Sequence, residues 1–312
     1  MSNVTGQNFT SNQSQFAVIS YTAATITTIT GNFLVIIIVL RNKKMRTTPN
    51  YLIVSMSVSD VFIPTSVLVA LQSYYYCSLG ILSKNATIIL EAITTFLIDL
   101  SFAVSMQSLV AIAVQRYYAV FHPLKARLAR LKTCFLIICS FWISGTVLFA
   151  PRVYYSIASG NNKFTCPKGP LEKELLFLDV FNTIAVAVPP ILMVAVYSRI
   201  MVHLKRKRVP SETTSLSLQT ARQKKQNINL SLMFITILIL FTSSWGCLWF
   251  LVMMTRYSSI RSSILLQKAL NKASILPGVF TSINPLIYFI FSSNYRQGLK
   301  QIFNSCMCFF SR

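Results

Sequence analysis

The sequence predicts an all-α membrane protein, a seven-transmembrane helix bundle with a short C-terminal interfacial helix. Of its 312 residues, 54% are hydrophobic and 12% are charged, whereas about 25% are charged in a typical soluble domain. The apolar residues gather in seven windows, each about the 20 residues that a helix needs to cross lipid. A chain this short has no polar shell left to enclose seven apolar segments, and segments in lipid satisfy their own backbone hydrogen bonds as helices.

The seven predicted spans follow one another with short polar connections. In chain order, spans 1 to 7 are predicted at residues 16–40, 50–76, 88–120, 134–155, 174–202, 228–255 and 263–291. Span 3 is the weakest at its start, because Glu91 and Asp99 interrupt its apolar run. Residues 1–15 then form an N-terminal tail, residues 16–291 the seven-span domain, and residues 292–312 a C-terminal segment.

Basic residues predict the orientation of the bundle. Most of the 29 Lys and Arg follow spans 1, 3, 5 and 7, and basic residues mark the cytoplasmic side of a membrane protein. The N-terminus is therefore expected outside the cell, in a multi-pass protein of the plasma membrane. Four predicted N-glycosylation sites lie on that external side. These are Asn3, Asn8, Asn12 and Asn85.

The net charge of +22 raises the question of a nucleic-acid partner. The positive residues stand in short loops between spans, where the topology rule and anionic lipid already account for them. Membrane lipid is therefore the expected partner of these charges, and nucleic acid is not.

The seven cysteines divide by their predicted compartment. Cys77 and Cys166 fall on the oxidising external side, where they either pair or stay free. Cys306 and Cys308 follow the last span near the inner leaflet, where thioester lipidation is expected.

The C-terminal segment carries a helical pattern of apolar residues. Tyr295, Leu299, Ile302, Phe303 and Cys306 recur at the spacing of one helix face, which suits a helix lying in the membrane interface. A frayed tail is the alternative.

Short motifs occur in order along the spans. They include "GNFLV" in span 1 with Asn32, Asp60 in span 2, "QRYYAVFHPL" at the end of span 3, Trp142 in span 4, Pro189 and Tyr197 in span 5, "FTSSW" in span 6 and "NPLIY" in span 7. Together they resemble the rhodopsin-like (class A) G-protein-coupled receptors over nearly the whole chain. The resemblance implies a receptor without enzymatic activity that binds an extracellular ligand and activates heterotrimeric G proteins.

The resemblance assigns the cytoplasmic switch to Arg116, Tyr117, Tyr197 and Tyr288. An isolated arginine at a helix end would instead simply extend its charged head to water. The preceding residue is Gln115 where relatives usually have an acid, so the arginine lacks a charge-assisted hydrogen bond. We therefore expect raised basal signalling. The competing interpretations are poor coupling and a receptor-like dimer partner that does not couple.

The resemblance also implies an allosteric sodium ion, as the only cofactor, at Asp60, Ser105 and Asn284. An ionisable residue in the middle of a span is costly, so a function is the default interpretation. The alternative is a protonated Asp60 hydrogen-bonded to Asn32 and Asn284.

The ligand cavity is expected at the external end of spans 3, 5, 6 and 7. Its predicted lining is Asp99, Phe102, Asn182, Trp245, Leu248 and Trp249. Glu91 and Asp179 are expected either at the outer rim of the cavity or in solvent. Asp99 can pair with a cation, although it stands one position beyond the acid of amine receptors. A small cationic molecule and a short peptide are both open. A transporter or channel is the rival class, but the inverted repeats that many transporters contain are not evident.

Overall fold

The computed structural model describes residues 11–124, 131–160, 170–206, 215–257 and 263–310. Within these ranges the regular structure is helical, which confirms the predicted fold class. In chain order the α-helices are α1 (Ser11–Arg41), α2 (Thr48–Asp60), α3 (Phe62–Ser78), α4 (Lys84–Phe121), α5 (Leu131–Gly160), α6 (Pro170–Arg206), α7 (Ser215–Tyr257), α8 (Ile264–Ala273), α9 (Leu276–Phe291) and α10 (Ser293–Phe310).

Spans 2 and 7 are each divided into two helices, and proline explains both breaks. Span 2 consists of α2 and α3, which meet at Val61. Pro64 has no N–H to donate to the carbonyl of Asp60, four residues earlier, so the regular ladder stops there. Pro277 has the same relation to Ala273, the last residue of α8. Helical structure continues past Pro189, Pro190 and Pro285.

Six helical segments of the described structure are long and apolar enough to cross a membrane. Span 7 fails that test because its break leaves α8 with 10 residues and α9 with 16. After α9 the chain turns by 98° into α10. The last helix therefore does not prolong span 7, and its direction suits the interface helix that the sequence predicts.

The helices of spans 5 and 6 extend beyond their predicted apolar windows toward the connection between them. Helix α6 ends at Arg206, and α7 begins at Ser215, before the predicted start of span 6 at residue 228. The added stretch of α7 is rich in Gln, Arg, Lys and Leu, which are good helix formers in water. Hydropathy indicates which part of a helix lies in lipid. Residues of high helix propensity extend the helix beyond that part.

Glycines let several helices approach closely. A Cβ atom on Gly31 would lie 2.9 Å from Pro285 Cγ, and one on Gly145 would lie 2.8 Å from Leu100 Cδ1. Contacts at these distances are possible only for glycine. They bring span 7 against span 1 and span 4 against span 3, which places the polar residues of these spans in one interior.

Helix α10 packs on the bundle through its predicted apolar face. Tyr295 is 2% exposed, and Leu299 and Ile302 pack against the buried core. Phe303, at the edge of that face, is 61% exposed, as expected for a side chain at the lipid interface. A Cβ on Gly298 would lie 2.5 Å from Ile38 Cγ2, so α10 lies against span 1.

Candidate functional site

A buried polar cluster joins spans 2, 3 and 7 in the middle of the bundle. Asn284 Nδ2 donates a hydrogen bond of 2.8 Å to Asp60 Oδ2, and Ser105 Oγ donates one of 3.3 Å to Asp60 Oδ1. Ser59 Oγ lies 3.1 Å from Ser105 Oγ. Asp60 is 2% exposed, and it forms no ion pair with any residue that the structure describes. The structure thus brings together the three residues expected to hold sodium.

The cluster fits a small cation in part. Carboxylate and hydroxyl oxygens are the donors that hard cations prefer, and Asp60 and Ser105 provide them. Asn284 presents its amide nitrogen to the carboxylate, so in this arrangement it positions Asp60 and does not offer an oxygen.

The alternative with a protonated Asp60 requires a hydrogen bond between Asp60 and Asn32, and the described part of the structure does not contain that bond. Its Nδ2 donates to the carbonyl of Thr28 within span 1, at 3.0 Å, and its buried Oδ1 has no partner among the described residues. A local backbone acceptor one turn away holds the amide group, so Asn32 lies beside the cluster without bonding to the carboxylate.

An aromatic layer connects spans 3 and 6 on the external side of this cluster. The ring of Phe102 lies 4.8 Å from that of Trp245 and 5.7 Å from that of Phe241, measured between centroids. Phe102 is 6% exposed and Trp245 is 8% exposed. Both were expected in the ligand cavity, and both lie in the packed interior, where they would form at most its floor.

The end of the bundle where span 3 ends holds two polar atoms without a hydrogen bond among the described residues. The guanidinium carbon of Arg116 lies 5.6 Å from the ring centroid of Phe234 on span 6, a cation–π contact of about 0.5–2 kcal/mol. Arg116 Nε and Tyr197 Oη are buried and make no hydrogen bond within the described structure. Gln115 and Arg116 are neighbours in sequence but are not hydrogen-bonded to each other in that structure.

The other two switch residues have different surroundings. Tyr288 is 1% exposed and stacks on Tyr295, with 5.6 Å between ring centroids. Tyr117 instead packs on Phe121 of its own helix at 4.7 Å. The structure therefore gathers Arg116, Tyr197 and Tyr288 in the bundle interior, whereas Tyr117 contacts residues at the end of span 3.

The opposite end of the bundle, which the sequence predicts to face outside, contains a network of four charged side chains. Arg152 Nη1 on span 4 donates to Asp99 Oδ2 on span 3 at 2.7 Å, and Arg152 Nη2 lies 3.8 Å from Asp179 Oδ1 on span 5. Arg256 Nη1 on span 6 donates to Asp179 Oδ1 at 2.6 Å, and Tyr257 Oη donates to Asp179 Oδ2 at 2.8 Å. The network crosses spans 3, 4, 5 and 6 in turn.

This network revises two expectations. Asp99 was expected to offer a free carboxylate to a cation, but Arg152 already neutralises it. Asp179 was expected at the rim or in water, but it is 2% exposed. Sequence reasoning missed Arg152 and Arg256. The available signal was that each is a charged residue at the external end of a predicted span, where a partner is normally required.

The remaining predicted ligand residues are less central. Trp249 Nε1 donates to Thr183 Oγ1 on span 5 at 2.9 Å, and Leu248 packs at the edge of the core. Asn182 lies on α6, and its side chain is outside the described part of the structure.

The predicted modification sites remain predictions. Asn85 is exposed in the first turn of α4, and Asn12 lies in the first turn of α1. Cys77 is half-buried and forms no disulfide with another cysteine that the structure describes. Its predicted partner Cys166, and also Asn3 and Asn8, lie outside the described residues. Cys306 and Cys308 lie on α10, but their side chains are not described.

Comparison with known proteins agrees with this architecture. The family model "7 transmembrane receptor (rhodopsin family)" matches residues 31–288, which is most of the chain and includes all of the polar clusters above.

Several curated receptors are similar to the chain. Tachykinin-like peptides receptor 99D of Drosophila melanogaster is 26% identical over 89% of this chain and 54% of its own length. Neuropeptide FF receptor 1 of Rattus norvegicus is 27% identical over 89% of this chain and 68% of its own length. Neuromedin-K receptor of Oryctolagus cuniculus is 25% identical over 92% of this chain and 61% of its own length. The chain thus spans about half the length of the fly receptor and about two thirds of the other two.

Proposed function

The chain belongs to the rhodopsin family of seven-transmembrane receptors, and from that membership we propose that it binds an extracellular ligand and activates heterotrimeric G proteins. The matched family is a family of receptors and not of enzymes. In this proposal the N-terminus and the Arg152–Asp179 network face outside, and Arg116 faces the cytosol. The basic residues that follow spans 1, 3, 5 and 7 support that orientation.

The observation that carries the proposal is the pair of unpartnered polar groups at the cytoplasmic end. A buried polar atom without a hydrogen bond costs about 1–3 kcal/mol. Arg116 Nε and Tyr197 Oη both bear that cost, so an arrangement that satisfies them is energetically accessible. Such a bundle has two states, and a ligand or a G protein that prefers one shifts the population.

We propose a short peptide as the ligand. The relatives are named as receptors for tachykinin-like peptides, neuropeptide FF and neuromedin K, which favours this option over a small cationic molecule. Asp99 and Arg256 are each paired within the protein, with Arg152 and Asp179, but both remain partly exposed. A peptide that carries charges of both signs can compete for both of them.

Two finer proposals concern the interior. Asp60 and Ser105 hold a sodium ion, with Asn284 positioning the carboxylate. Gln115 leaves Arg116 without a charged partner, so basal signalling is raised. Without a charged partner, Arg116 is still held against span 6 by its cation–π contact with Phe234.

The external and lipid-facing modifications complete the proposal. We propose glycans on Asn3, Asn8, Asn12 and Asn85, a disulfide between Cys77 and Cys166, and lipidation of Cys306 and Cys308 beside the α10 helix.

Nucleotide exchange on purified G protein tests the function. The full chain in lipid nanodiscs is mixed with G-protein heterotrimers of each class, and GTP-analogue uptake is measured with and without a library of short amidated and free peptides. We expect uptake above that of empty nanodiscs, raised further by some peptides and abolished by Arg116→Ala. No exchange with any class would refute the proposal, and flux of a substrate into liposomes would favour the transporter.

A further inference from the structure

The four charged residues at the external end form a chain whose formal charge is zero. Asp99 and Arg152 are each 16% exposed at the side chain, Asp179 is 2% exposed, and Arg256 is 38% exposed. Arg152 already lies between two carboxylates, at 2.7 Å from Asp99 and 3.8 Å from Asp179. Asp179 in turn lies between two guanidinium groups, so each inner member has an alternative partner.

We propose that this network is a charge relay, in which a positive group arriving at Asp99 moves Arg152 onto Asp179 and thereby releases Arg256 from span 5. The positive group is a cationic side chain or amine of the ligand, and that identification rests on the proposed function. The relay itself concerns only residues of this chain.

Exposure decides which member is expelled. A cation added to a neutral network leaves one positive charge too many, and a charge in low dielectric is costly unless it is paired. Arg256 is the most exposed of the four residues, so it regains hydration at the smallest structural cost. Arg152 is more buried and needs only to close a gap of 3.8 Å to reach Asp179 Oδ1.

Asp179 keeps its other partners after the exchange. Arg256 Nη1 donates to both carboxylate oxygens of Asp179. After its release, Tyr257 Oη remains a donor to Oδ2, and Arg152 takes Oδ1, the oxygen that it already faces. The buried carboxylate is therefore never left without donors, which is the condition for an exchange of partners without a large penalty.

Release of Arg256 would loosen the outer end of span 6, the helix that contributes Phe241 and Trp245 to the aromatic layer. Among the described residues, the outer ends of spans 5 and 6 are joined through Asp179 to Arg256 and Tyr257, and through the Thr183–Trp249 hydrogen bond. Trp249 lies four residues from Trp245, on the same side of the helix. Arg256 lies 11 residues, or about three turns, beyond Trp245. Loss of the Arg256 contact thus loosens the outer end of the same helix whose Trp245 packs on Phe102.

The relay responds to charges of opposite sign differently. A cation enters at Asp99, the span 3 end of the chain, and its effect passes through Arg152. An anion binds directly to Arg256 and leaves the Asp99–Arg152 pair intact. Neutralising Asp99 alone therefore reproduces the effect of a bound cation without any ligand.

Arginine-specific labelling of the purified full chain in nanodiscs tests the relay. Phenylglyoxal modifies free guanidinium groups, and mass spectrometry gives the rate at Arg256 and at the exposed Arg41, on the opposite side, as an internal reference. Asp99→Asn gives the network one excess positive charge, as a ligand cation would. We expect the Arg256 rate to rise about tenfold, which corresponds to about 1.4 kcal/mol, and the Arg41 rate to stay constant.

Two further variants give the sign of the effect. Arg152→Gln leaves excess negative charge, so Arg256 is held at least as tightly and its rate does not rise. The double variant Asp99→Asn with Arg152→Gln restores neutrality and returns the rate to that of the wild type. Asp99→Glu, which keeps the charge, serves as the matched control and is expected to behave like the wild type.

The relay is wrong if Asp99→Asn leaves the Arg256 rate unchanged, or if Arg152→Gln raises it equally, since loosened packing would then be the cause. It is also wrong if the double variant stays as reactive as Asp99→Asn. Monodispersity in size-exclusion chromatography and the thermal midpoint show that each variant is folded. No G protein or ligand takes part, so this result and that of the exchange assay stand or fall separately.

Discussion

Substitution of Gln115 by glutamate should give Arg116 the charged partner that it lacks. In the structure Arg116 Nε is buried without a hydrogen bond, and its guanidinium meets span 6 only through the ring of Phe234. A carboxylate at position 115 stands beside the guanidinium on the same helix. We expect it to stabilise the arrangement in which spans 3 and 6 are in contact, because that arrangement keeps the arginine inside.

The size of the effect follows from the bond that is added. A hydrogen bond that involves a charged group contributes about 1.5–3 kcal/mol, compared with about 0.5–2 kcal/mol for the existing cation–π contact. Since about 1.4 kcal/mol changes an equilibrium tenfold, the active population should fall by about tenfold to a hundredfold. Agonist-free exchange should fall in proportion, as long as the active state is the minor one.

The assay is agonist-free nucleotide exchange on purified G protein, at equal amounts of folded receptor in nanodiscs. Gln301→Glu makes the same change on the exposed face of α10, and it controls for added negative charge at the cytoplasmic surface. An unchanged basal rate in Gln115→Glu would refute the reasoning that Arg116 is under-restrained. Equal loss in Gln301→Glu would show that surface charge, and not a partner for Arg116, sets the rate.

The other predictions concern packing and the buried carboxylate. Gly298→Ala should lower the thermal midpoint of the purified chain, because its Cβ would lie 2.5 Å from Ile38 Cγ2 and overpacking costs about 1–3 kcal/mol. Gly246→Ala is the matched control, because nothing lies within 4 Å of its Cβ. The higher helix propensity of alanine should stabilise this variant by up to about 1 kcal/mol and so raise its thermal midpoint. An equal loss of stability in both variants would contradict the packing argument. Sodium chloride should raise the midpoint above that in choline chloride of equal ionic strength, and Asp60→Asn should remove this difference; a difference that persists would place the ion elsewhere. Asn284→Ala should remove one hydrogen bond from the carboxylate and destabilise the fold by about 1–3 kcal/mol, measured by thermal or denaturant unfolding, and an unchanged stability would mean that Asn284 does not hold Asp60.

The number and order of the spans could be predicted from sequence, because hydropathy is a local property and lipid permits few structures. The breaks in spans 2 and 7 coincide with Pro64 and Pro277, but the loss of a backbone donor does not by itself predict a break. Pro189, Pro190 and Pro285 lose the same donor and lie inside continuous helices. The starts and ends of spans 5 and 6 were less well predicted. There the helices continue past the apolar windows because the polar residues that follow have high helix propensity. A search for apolar windows does not detect such residues.

The interior polar cluster was predicted only through the ordered motifs. Asp60 and Asn284 are 224 residues apart in the chain, and nothing local in either segment indicates the other. The family pattern supplied that pairing, and in the structure Asn284 and Ser105 both donate to the carboxylate of Asp60. The alternative with Asn32 bonded to Asp60 came from residue chemistry and not from the motifs, and in the structure the Asn32 amide instead donates to the carbonyl of Thr28 on its own helix.

The sequence by itself determined that this protein is a seven-span receptor with an unusual neutral residue before Arg116. The identity of the external charge partners was decided by tertiary structure alone. Arg152 and Asp99 are 53 residues apart, and Arg256 and Asp179 are 77 apart, and each pair joins two different spans. Which charges meet depends on the rotation and approach of whole helices. Those are set by packing contacts such as Gly145 against Leu100, which no local pattern records.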